Sequence, residues 1–362
     1  MIYRAIGIMS GSSLDGLDIA FVEFREQAGK WSYEIKNAEC IPYDDEWKLK
    51  LRNAITLSAA AYQQLHADYG HLLGRSVNEF ISKHNLQYQV SLIASHGHTT
   101  FHVPALRMTA QLGDGAAIAA ETLLPVVTGL RSMDIAFGGQ GAPIVPIGEK
   151  WLLGDHDYFL NLGGIANLSA NKERYAAFDV CPANRVLNML ASDTGKEFDE
   201  GGEMASRGNV SELLIDELNS LDYYKLTGPK SLANDFGTDV VYPIVKNSGV
   251  SINDQLRTYV EHIAVQIQNS IQAFGFGPRA SGSAMLVTGG GALNKFLVQR
   301  IKERLKDLDI AVTIPDEQLI NFKEALIMAF IGVLRWRQET NVLSSVTGAE
   351  RDSINGALWI PI

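Results

Sequence analysis

The 362-residue sequence has little cysteine, no long apolar run and a deficit of positive charge, and each shortage excludes a class of protein. Cys40 and Cys181 are too few for a disulfide framework and fit a reducing compartment. The longest apolar run, residues 325–334, is well short of the ~20 residues that a membrane helix needs. The net charge of −10 argues against a nucleic-acid surface, which depends on clustered Lys and Arg.

The start of the chain also lacks the long apolar core of a signal peptide, because only a few apolar residues separate Arg4 from Ser10. We therefore expect a cytoplasmic protein with neither a membrane nor a nucleic acid as partner. With 46% hydrophobic residues, the chain is long enough for two domains that each bury a core.

What the sequence does have, almost from its first residue, is a polar turn between two strand-like runs. Gly11 and Gly16 bracket Ser12, Ser13 and Asp15 in this turn. Glycine lets a phosphate approach the backbone closely, and consecutive amides of such a turn bind negative charge. Because a carboxylate would repel a bare phosphate, its presence indicates a divalent cation such as Mg²⁺ between the two. The alternative is an ordinary surface hairpin, in which these residues serve turn geometry alone.

Two later glycine turns extend the pattern. Residues 158–169 form a second strand, turn and strand around Gly163 and Gly164, while a strand at 284–288 leads into residues 289–291, all glycine, and then a helix. The second half thus begins as the first does, which predicts two related α/β lobes facing one cleft. Neither the P-loop pattern nor the G-x-G-x-x-G dinucleotide pattern is present between a strand and a helix.

Periodicity predicts the elements that carry these turns. A strand at 31–41 is followed by helices at 46–57 and 59–84, and a buried strand at 90–95 runs into Ser95, His96 and Gly97. Polar residues at the end of a strand are typical of ligand sites in open α/β sheets. The breaker-rich segment 129–146 is interpreted as the passage between domains, and Asp179 is expected at the end of a further strand. Amphipathic or buried helices are predicted at 254–274, 295–306 and 323–336.

The order of the three glycine turns resembles the actin, hexokinase and Hsp70 superfamily, in which two hairpins hold the phosphates of ATP and a later glycine turn meets the adenosine. When the other motifs are added, the resemblance is to one family within this superfamily. Eight segments together are similar, in colinear order and nearly end to end, to anhydro-N-acetylmuramic acid kinases. They are residues 7–18, 95–99, 138–143, 161–167, 178–184, 288–294, 323–325 and 346–349. This implies a two-lobe α/β, ribonuclease H-like fold with a nucleotide cleft between the lobes. It also implies an ATP- and Mg²⁺-dependent enzyme of cell-wall recycling that opens the 1,6-anhydro bond with water and phosphorylates O6.

The resemblance also implies roles for individual residues. Asp179 matches the catalytic aspartate, and Glu324 is a second catalytic candidate that alternatively only starts its helix. Asp15 is the metal-linked carboxylate. The sugar-binding candidates are Ser95, His96, Gly97, Arg131 and Asp134, with a salt bridge at the lobe junction as the alternative role of Arg131. The expected ATP-binding residues are Gly11, Ser12, Ser13, Leu14, Asp15, Gly16, Leu17, Asp18, Gly163, Gly164, Asn167, Gly289, Gly290 and Gly291.

The predicted organisation is a first lobe at 1–128, a second lobe at 129–340 and a C-terminal segment at 341–362 that returns to the first lobe. The partners are an anhydro-amino sugar and ATP, with a homodimer as an open possibility. There are two competing interpretations. One is another sugar or carboxylate kinase of the superfamily, and the other is a nucleotide-switched chaperone or filament protein. A metal site at His96, His98 and His102 is a weaker alternative, because zinc sites close with more ligands. His98, Val180, Cys181, Asn188 and segment 231–236 depart from the family pattern.

Overall fold

The computed structural model describes residues 1–11, 14–171, 175–226, 230–233, 235–273 and 282–361. Within these ranges the chain alternates between strands and helices, as an α/β protein does. The strands are β1 Ile2–Ser10, β2 Gly16–Gln27, β3 Lys30–Pro42, β4 Leu92–Ser95, β5 His98–Val103, β6 Met108–Leu112, β7 Val126–Thr128, β8 Tyr158–Leu162, β9 Ile165–Ala170, β10 Ala176–Pro182, β11 Ser283–Thr288, β12 Ile310–Thr313 and β13 Ala357–Trp359.

The helices lie between these strands and carry most of the apolar stripes that the sequence predicts. They are α1 Asp45–Asn53, α2 Ala59–Lys83, α3 Gly115–Thr122, α4 Ser132–Ala136, α5 Pro146–Leu152, α6 Asn184–Ser192, α7 Glu203–Ser206, α8 Glu212–Asn219, α9 Asp222–Lys225, α10 Tyr242–Lys246, α11 Ile252–Ala273, α12 Lys295–Lys306, α13 Glu317–Trp336 and α14 Ser344–Thr347. The bounds of α12 coincide with the prediction from its periodicity, and those of α2 and α11 differ by one or two residues.

The chain divides into two compact units. The first contains residues 1–154 and 322–362, and the second contains residues 155–321. The sheet of the first unit has the order β13-β7-β4-β1-β2-β3, and the sheet of the second has the order β10-β9-β8-β11-β12.

The two sheets repeat one topology. In each, three strands consecutive in the chain form an antiparallel meander, and two later strands add in parallel beside the first strand of the meander. The first unit adds β13, which pairs antiparallel with β7 at the edge. This repetition confirms the predicted two-lobe α/β class.

The core of the first unit lies on both faces of its sheet. Tyr69, Leu73 and Phe80 of α2 are fully buried together with the strand residues Ile6 and Ile8. On α13, residues 325–331 are 0–1% exposed, so the long apolar run is a core helix. No helix within the described ranges is long and apolar enough to cross a membrane.

One glycine makes the contact between β1 and α13 possible. A Cβ on Gly7 would overlap the carbonyl oxygen of Ala325 and lie 2.7 Å from the amide nitrogen of Ala329. Only a residue without a side chain lets the helix backbone approach the strand this closely. Glu324, the residue before Ala325, is close enough to the first hairpin for its charge to act on Asp18.

The second unit is organised around α11. Its residues Leu256, Val260, Ile263 and Ile267 are fully buried against the five-stranded sheet and α12, as the helical periodicity predicts. The charged, glycine-rich segment 194–209 has the composition of an exposed loop, but it contains α7 and the buried residue Ala205. Short helices with few apolar positions give little periodic signal, which explains the difference.

The unit boundaries differ from the predicted domains at 128 and 340. Segment 129–146 does not connect the units: it belongs to the first unit, which continues to residue 154 and resumes at residue 322, within α13. Glycine and proline indicate where regular structure stops, but they carry no information about which sheet the segment packs on. In the C-terminal segment, β13 pairs with β7 of the first unit.

Candidate functional site

The turn of the first hairpin lies between β1 and β2. Leu14 has a left-handed backbone, with φ of 60°, and its amide donates to the carbonyl oxygen of Gly11 at 3.4 Å. Its side chain and that of Leu17 are buried in the core, so only their main chains can face a ligand. Asp15 is exposed between them. Ser12 and Ser13, two of the predicted ATP-binding residues, lie outside the described residues.

Gly16 has a packing role in this hairpin. A Cβ at this position would lie 2.6 Å from Cys40 Sγ and 2.6 Å from the carbonyl oxygen of Ile41. The close pairing of β2 with β3 therefore already requires a glycine here, independently of any ligand.

Three carboxylates gather near this turn. Burial raises the pKa of Asp18, and the negative charges of Glu324 and Asp15 add to this, whereas a hydrogen bond with Cys40 opposes it. A divalent cation bound here would offset the negative charge around Asp18. The described residues contain no preassembled cluster of three or more metal ligands. Mg²⁺ fits this donor set, because it keeps several waters and needs only one or two protein carboxylates.

A buried chain of hydroxyls supports the base of the same hairpin. Tyr43 donates to Ser10 Oγ at 2.9 Å, and since it has one hydroxyl proton, Tyr69 must donate in the 2.5 Å bond between the two tyrosines. Ser10 Oγ lies 3.2 Å from His98 Nδ1 and is left with its own proton to donate there. His98 is thus the neutral Nε2–H tautomer, and burial lowers its pKa.

The Ser95-His96-Gly97 segment follows β4, as predicted. His96 is 3% exposed, and both of its ring nitrogens are occupied: Arg131 Nε donates to Nε2 at 2.8 Å, and Nδ1–H donates to the carbonyl oxygen of Gly97 at 2.9 Å. Burial and the charge of Arg131 lower the pKa of His96 to about 3. Because both ring nitrogens of His96 are occupied, neither is free to bind a metal in this arrangement, which argues against the alternative histidine site.

Arg131 is held by His96 and by the carbonyl oxygen of Gly141, which accepts from Nη1 at 3.2 Å. Burial lowers the pKa of Arg131, and the negative charge of Glu324 opposes this effect.

Asp134 lies inside the first unit. It is fully buried, its Oδ2 accepts from the amide of Gly141 at 2.8 Å, and its Oδ1 accepts from Thr347 Oγ1 at 2.6 Å. Both carboxylate oxygens are therefore used to join segment 138–143 to α14. Asp134 therefore has a structural role in the first unit, and its contact with the sugar stays a prediction.

In the second unit, three polar residues lie side by side on neighbouring strands. Asn161 on β8 is opposite Asn167 on β9, which is opposite Asp179 on β10. The prediction that β10 ends at Asp179 is wrong, because the strand continues to Pro182 and the register shifts after Asp179. This bulge adds one residue, so that Cys181 follows as a fully buried core residue whose thiol pKa is raised by burial.

Asp179 is held at both oxygens. Its Oδ2 accepts from the amide of Leu232 at 2.7 Å, and its Oδ1 accepts from Asn167 Nδ2. Its main chain is also fixed, since its amide donates to the carbonyl oxygen of Lys230 at 2.9 Å and its carbonyl oxygen accepts from Tyr223 at 2.7 Å. Burial raises the pKa of the carboxyl, while the bonds from Leu232 and Asn167 lower it. An aspartate so placed is oriented and more basic than usual, as a general base must be.

The turn of the second hairpin, between β8 and β9, lies beside Asn161 and Asn167. The carbonyl oxygens of Gly163 and Gly164 accept from the amides of Asn184 and Ala183, at 3.0 and 2.8 Å, and so satisfy the start of α6. An added Cβ at either glycine would meet nothing closer than 3.5 Å. These glycines are therefore not required by packing, which leaves close approach of a ligand as a reason for them.

The third glycine turn packs on the end of β8. Gly289 has φ of +80°, and a Cβ there would lie 2.7 Å from Asn161 Oδ1 and 2.8 Å from the carbonyl oxygen of Leu162. A Cβ on Gly291 would lie 2.7 Å from Leu162 Cβ, whereas one on Gly290 would meet only Asn184, at 3.8 Å. The fold thus brings the two glycine turns of this unit together, with Gly290 facing open space.

Sequence reasoning missed the residues that hold the others in place. Tyr43, Tyr69, Tyr223 and Leu232 come from segments with no motif, and the hairpin of β5 and β6 was not predicted. A buried tyrosine hydroxyl needs a partner, but the periodicity of α2 cannot say which one.

The repeated sheets and their glycine turns define the class of the protein: a two-lobe α/β protein of the actin/hexokinase type. Residues 3–361 match the family model described as Anhydro-N-acetylmuramic acid kinase. Proteins named anhydro-N-acetylmuramic acid kinase from Vibrio parahaemolyticus and Synechococcus elongatus are each 32% identical over 98% of this chain, and over 97% and 99% of their own length. One from Haemophilus influenzae is 30% identical over 98% of this chain and 97% of its own. The chain belongs to the anhydro-N-acetylmuramic acid kinase family.

Two solved structures align over most of the chain at 12% identity. An activator of 2-hydroxyisocaproyl-CoA dehydratase from Clostridium difficile with bound ADPNP gives a TM-score of 0.46, covering 92% of this chain and 96% of that one. Component A of the (R)-2-hydroxyglutaryl-CoA dehydratase of Acidaminococcus fermentans gives 0.48, covering 91% and 97%. Likeness at this distance carries no argument about function, which depends on the family match.

Proposed function

We propose that this protein uses ATP to convert 1,6-anhydro-N-acetylmuramic acid into N-acetylmuramic acid 6-phosphate and ADP, a step of peptidoglycan recycling. The observation that carries the proposal is Asp179, a carboxylate oriented by two donors within a chain that matches the kinase family from end to end. A cytoplasmic location follows from its use of ATP and agrees with the two free cysteines.

Asp179 acts as the general base. It takes a proton from water, the water oxygen bonds to C1 of the sugar, and the bond between C1 and O6 breaks. O6 then accepts the γ-phosphoryl group of ATP, and ADP leaves. Because Asn167 and Leu232 occupy one direction at each oxygen, the remaining lone pairs of the carboxylate are available to the water.

The glycine turns bind the nucleotide through main-chain amides. The open space at Gly163, Gly164 and Gly290 suits close approach of phosphates and adenosine to the main-chain amides. Asp15 would hold Mg²⁺ through water, and Asp18 and Glu324 would add negative charge nearby. The ion supplies charge neutralisation on the transferring phosphoryl group.

Turnover in ¹⁸O-labelled water tests the reaction. With ATP, Mg²⁺ and the anhydro sugar, we expect one ¹⁸O at C1 and none in the phosphate. Phosphorylation without label at C1 would indicate an ordinary sugar kinase instead. ATP hydrolysis that is independent of sugar, or ATP-driven polymerisation, would favour the chaperone or filament interpretation. Omitting Mg²⁺ should abolish turnover.

A further inference from the structure

Residues 230–232 lie along β10, the edge strand of the second sheet, at the position of Asp179. The carbonyl oxygen of Lys230 accepts from the amide of Asp179 at 2.9 Å, and the amide of Leu232 donates to Asp179 Oδ2 at 2.7 Å. This short segment therefore contacts both the main chain and the carboxylate of the proposed base. Any group that fixes the segment also fixes Asp179.

The side chain of Lys230 joins this segment to α9. Its Nζ donates to the carbonyl oxygens of Tyr223 and Leu226, at 3.1 and 3.5 Å, at the C-terminal end of that helix. A cation is favourable at the last carbonyl groups of a helix. The same Nζ lies 4.4 Å from the centre of the Tyr223 ring and 5.8 Å from that of Tyr224, so both rings make cation–π contacts.

The two tyrosine rings are fixed in turn. Tyr223 donates to the carbonyl oxygen of Asp179 at 2.7 Å, and its ring meets that of Tyr224 edge to face at 5.5 Å. The hydroxyl of Tyr224 lies 3.1 Å from Nε2 of His262, a fully buried residue of α11. His262 Nδ1–H donates to Asn219 Oδ1 at 2.8 Å, so Nε2 accepts from Tyr224. Burial lowers the pKa of His262 to about 3, and the ring therefore stays neutral.

An ordinary surface lysine on the same helix has none of these contacts. Lys225 pairs with Asp222 at 2.7 Å, and its side chain is 65% exposed. Lys230 is instead partly buried between carbonyl groups and two ring faces. The position of its ammonium is thus set by α9 and, through Tyr224, by the core helix α11.

From this arrangement we propose that Lys230 is a positioning residue for the base: its ammonium holds segment 230–232 against α9, and the segment holds the carboxylate of Asp179. This inference rests on the proposed function and deepens it by one residue. Lys230 touches neither the sugar nor ATP in this role. It acts only through the backbone groups that contact Asp179.

Loss of the ammonium would leave the carboxylate present but less well placed. A misplacement of about 1 Å can reduce a rate by roughly 100-fold. The bond from Leu232 also lowers the pKa of Asp179 against the effect of burial, so weakening this bond should raise that pKa. Tyr223 and Cys181 lie nearby, but burial raises the pKa of both, so they stay neutral at acid pH. Lys230 itself is protonated there, and the acid limb of the rate therefore reports Asp179.

Lys230→Met tests the positioning role, because it keeps an unbranched side chain of similar length and removes the ammonium. We expect kcat to fall at least about tenfold and the acid limb of kcat to move to higher pH, with KM for ATP within about twofold of the wild type. Lys230→Arg can donate to the same carbonyl oxygens and stack on the same rings, so it should recover most of the rate. Lys225→Met is the matched control, because it removes an exposed cation from the same helix; it should change neither kcat nor the limb.

Carbon-13 NMR titration of the Asp179 carboxyl gives a second readout that does not depend on turnover, and loss of the resonance in Asp179→Asn identifies it. The midpoint should rise in Lys230→Met and stay in place in Lys225→Met. A Lys230→Met enzyme with kcat within about twofold of the wild type and an unchanged midpoint would overturn the positioning role while leaving the proposed function intact. A loss of rate that Lys230→Arg does not recover, with the midpoint unchanged, would overturn it too. A wild-type protein that does not turn over the anhydro sugar would overturn the proposed function and this inference together.

Discussion

Replacing Asp179 by asparagine is the sharpest perturbation of the proposed mechanism. The substitution preserves size, and the fold can tolerate it: the new amide oxygen still accepts from the amide of Leu232, and its NH₂ group faces Asn167, whose own amide rotates to accept. We expect a loss of stability of about 1 kcal/mol, the scale of one weakened hydrogen bond.

The loss of activity should be much larger. A positioned general base contributes ~10²–10⁴-fold in rate, which corresponds to about 2.7–5.5 kcal/mol of transition-state stabilisation. ADP release should therefore fall by at least ~100-fold, while the affinity for ATP stays within about twofold, because the proposed phosphate contacts do not include this carboxylate. Turnover within fivefold of the wild type would refute the assignment of the base.

The pH dependence gives an independent check. The base must be ionised to act, and burial raises the pKa of Asp179 above the ordinary value of 3.8, so activity should fall on an acid limb above that pH. Asn167→Ala removes a bond that lowers this pKa, and so the limb should move to higher pH. A limb that stays in place, or moves to lower pH, would contradict the pairing of Asn167 with the base.

Two further predictions concern stability. Gly7→Ala should lower the free energy of unfolding in urea by at least about 2 kcal/mol, because the new Cβ overlaps the carbonyl oxygen of Ala325. Gly29→Ala is the control: the site has open space, so the loss should be only about 1 kcal/mol of backbone strain. Equal losses for the two variants would contradict the packing argument. Glu261 is buried, which raises its pKa, but hydrogen bonds from Arg300 and Arg304 outweigh burial and hold the pKa below 4.5. Its stabilisation is therefore present above pH 4.5 and is lost as the pH falls through the lowered pKa. Glu261→Gln should lower the free energy of unfolding by about 2 kcal/mol at pH 7. This is less than for a fully buried pair, because the side chains of Arg300 and Arg304 are 23% and 35% exposed. If the difference in unfolding free energy between variant and wild type did not shrink at acid pH, the ion pair would be disproved.

The sequence alone was sufficient for most of the long elements and for the class of fold. Apolar residues at helical spacing located α2, α11 and α12, and the recurrence of strand, glycine turn and strand predicted two related units, which the repeated sheet order confirms. These features are local, since periodicity and backbone freedom are properties of consecutive residues. The motifs likewise predicted the kinase family that the whole-chain match shows. The individual roles of the glycine turns, Asp179 and Glu324 stay predictions.

Tertiary structure decided what each polar group faces. Only the fold shows that Asp134 accepts hydrogen bonds from Gly141 and Thr347. It also shows that Asn167 donates to Asp179 on the neighbouring strand, and that the first unit ends at residue 154 and resumes after residue 321. Such contacts join residues up to hundreds of positions apart. Their formation depends on sheet order, strand register and helix packing, and no local pattern in a single sequence specifies which distant residues will pair.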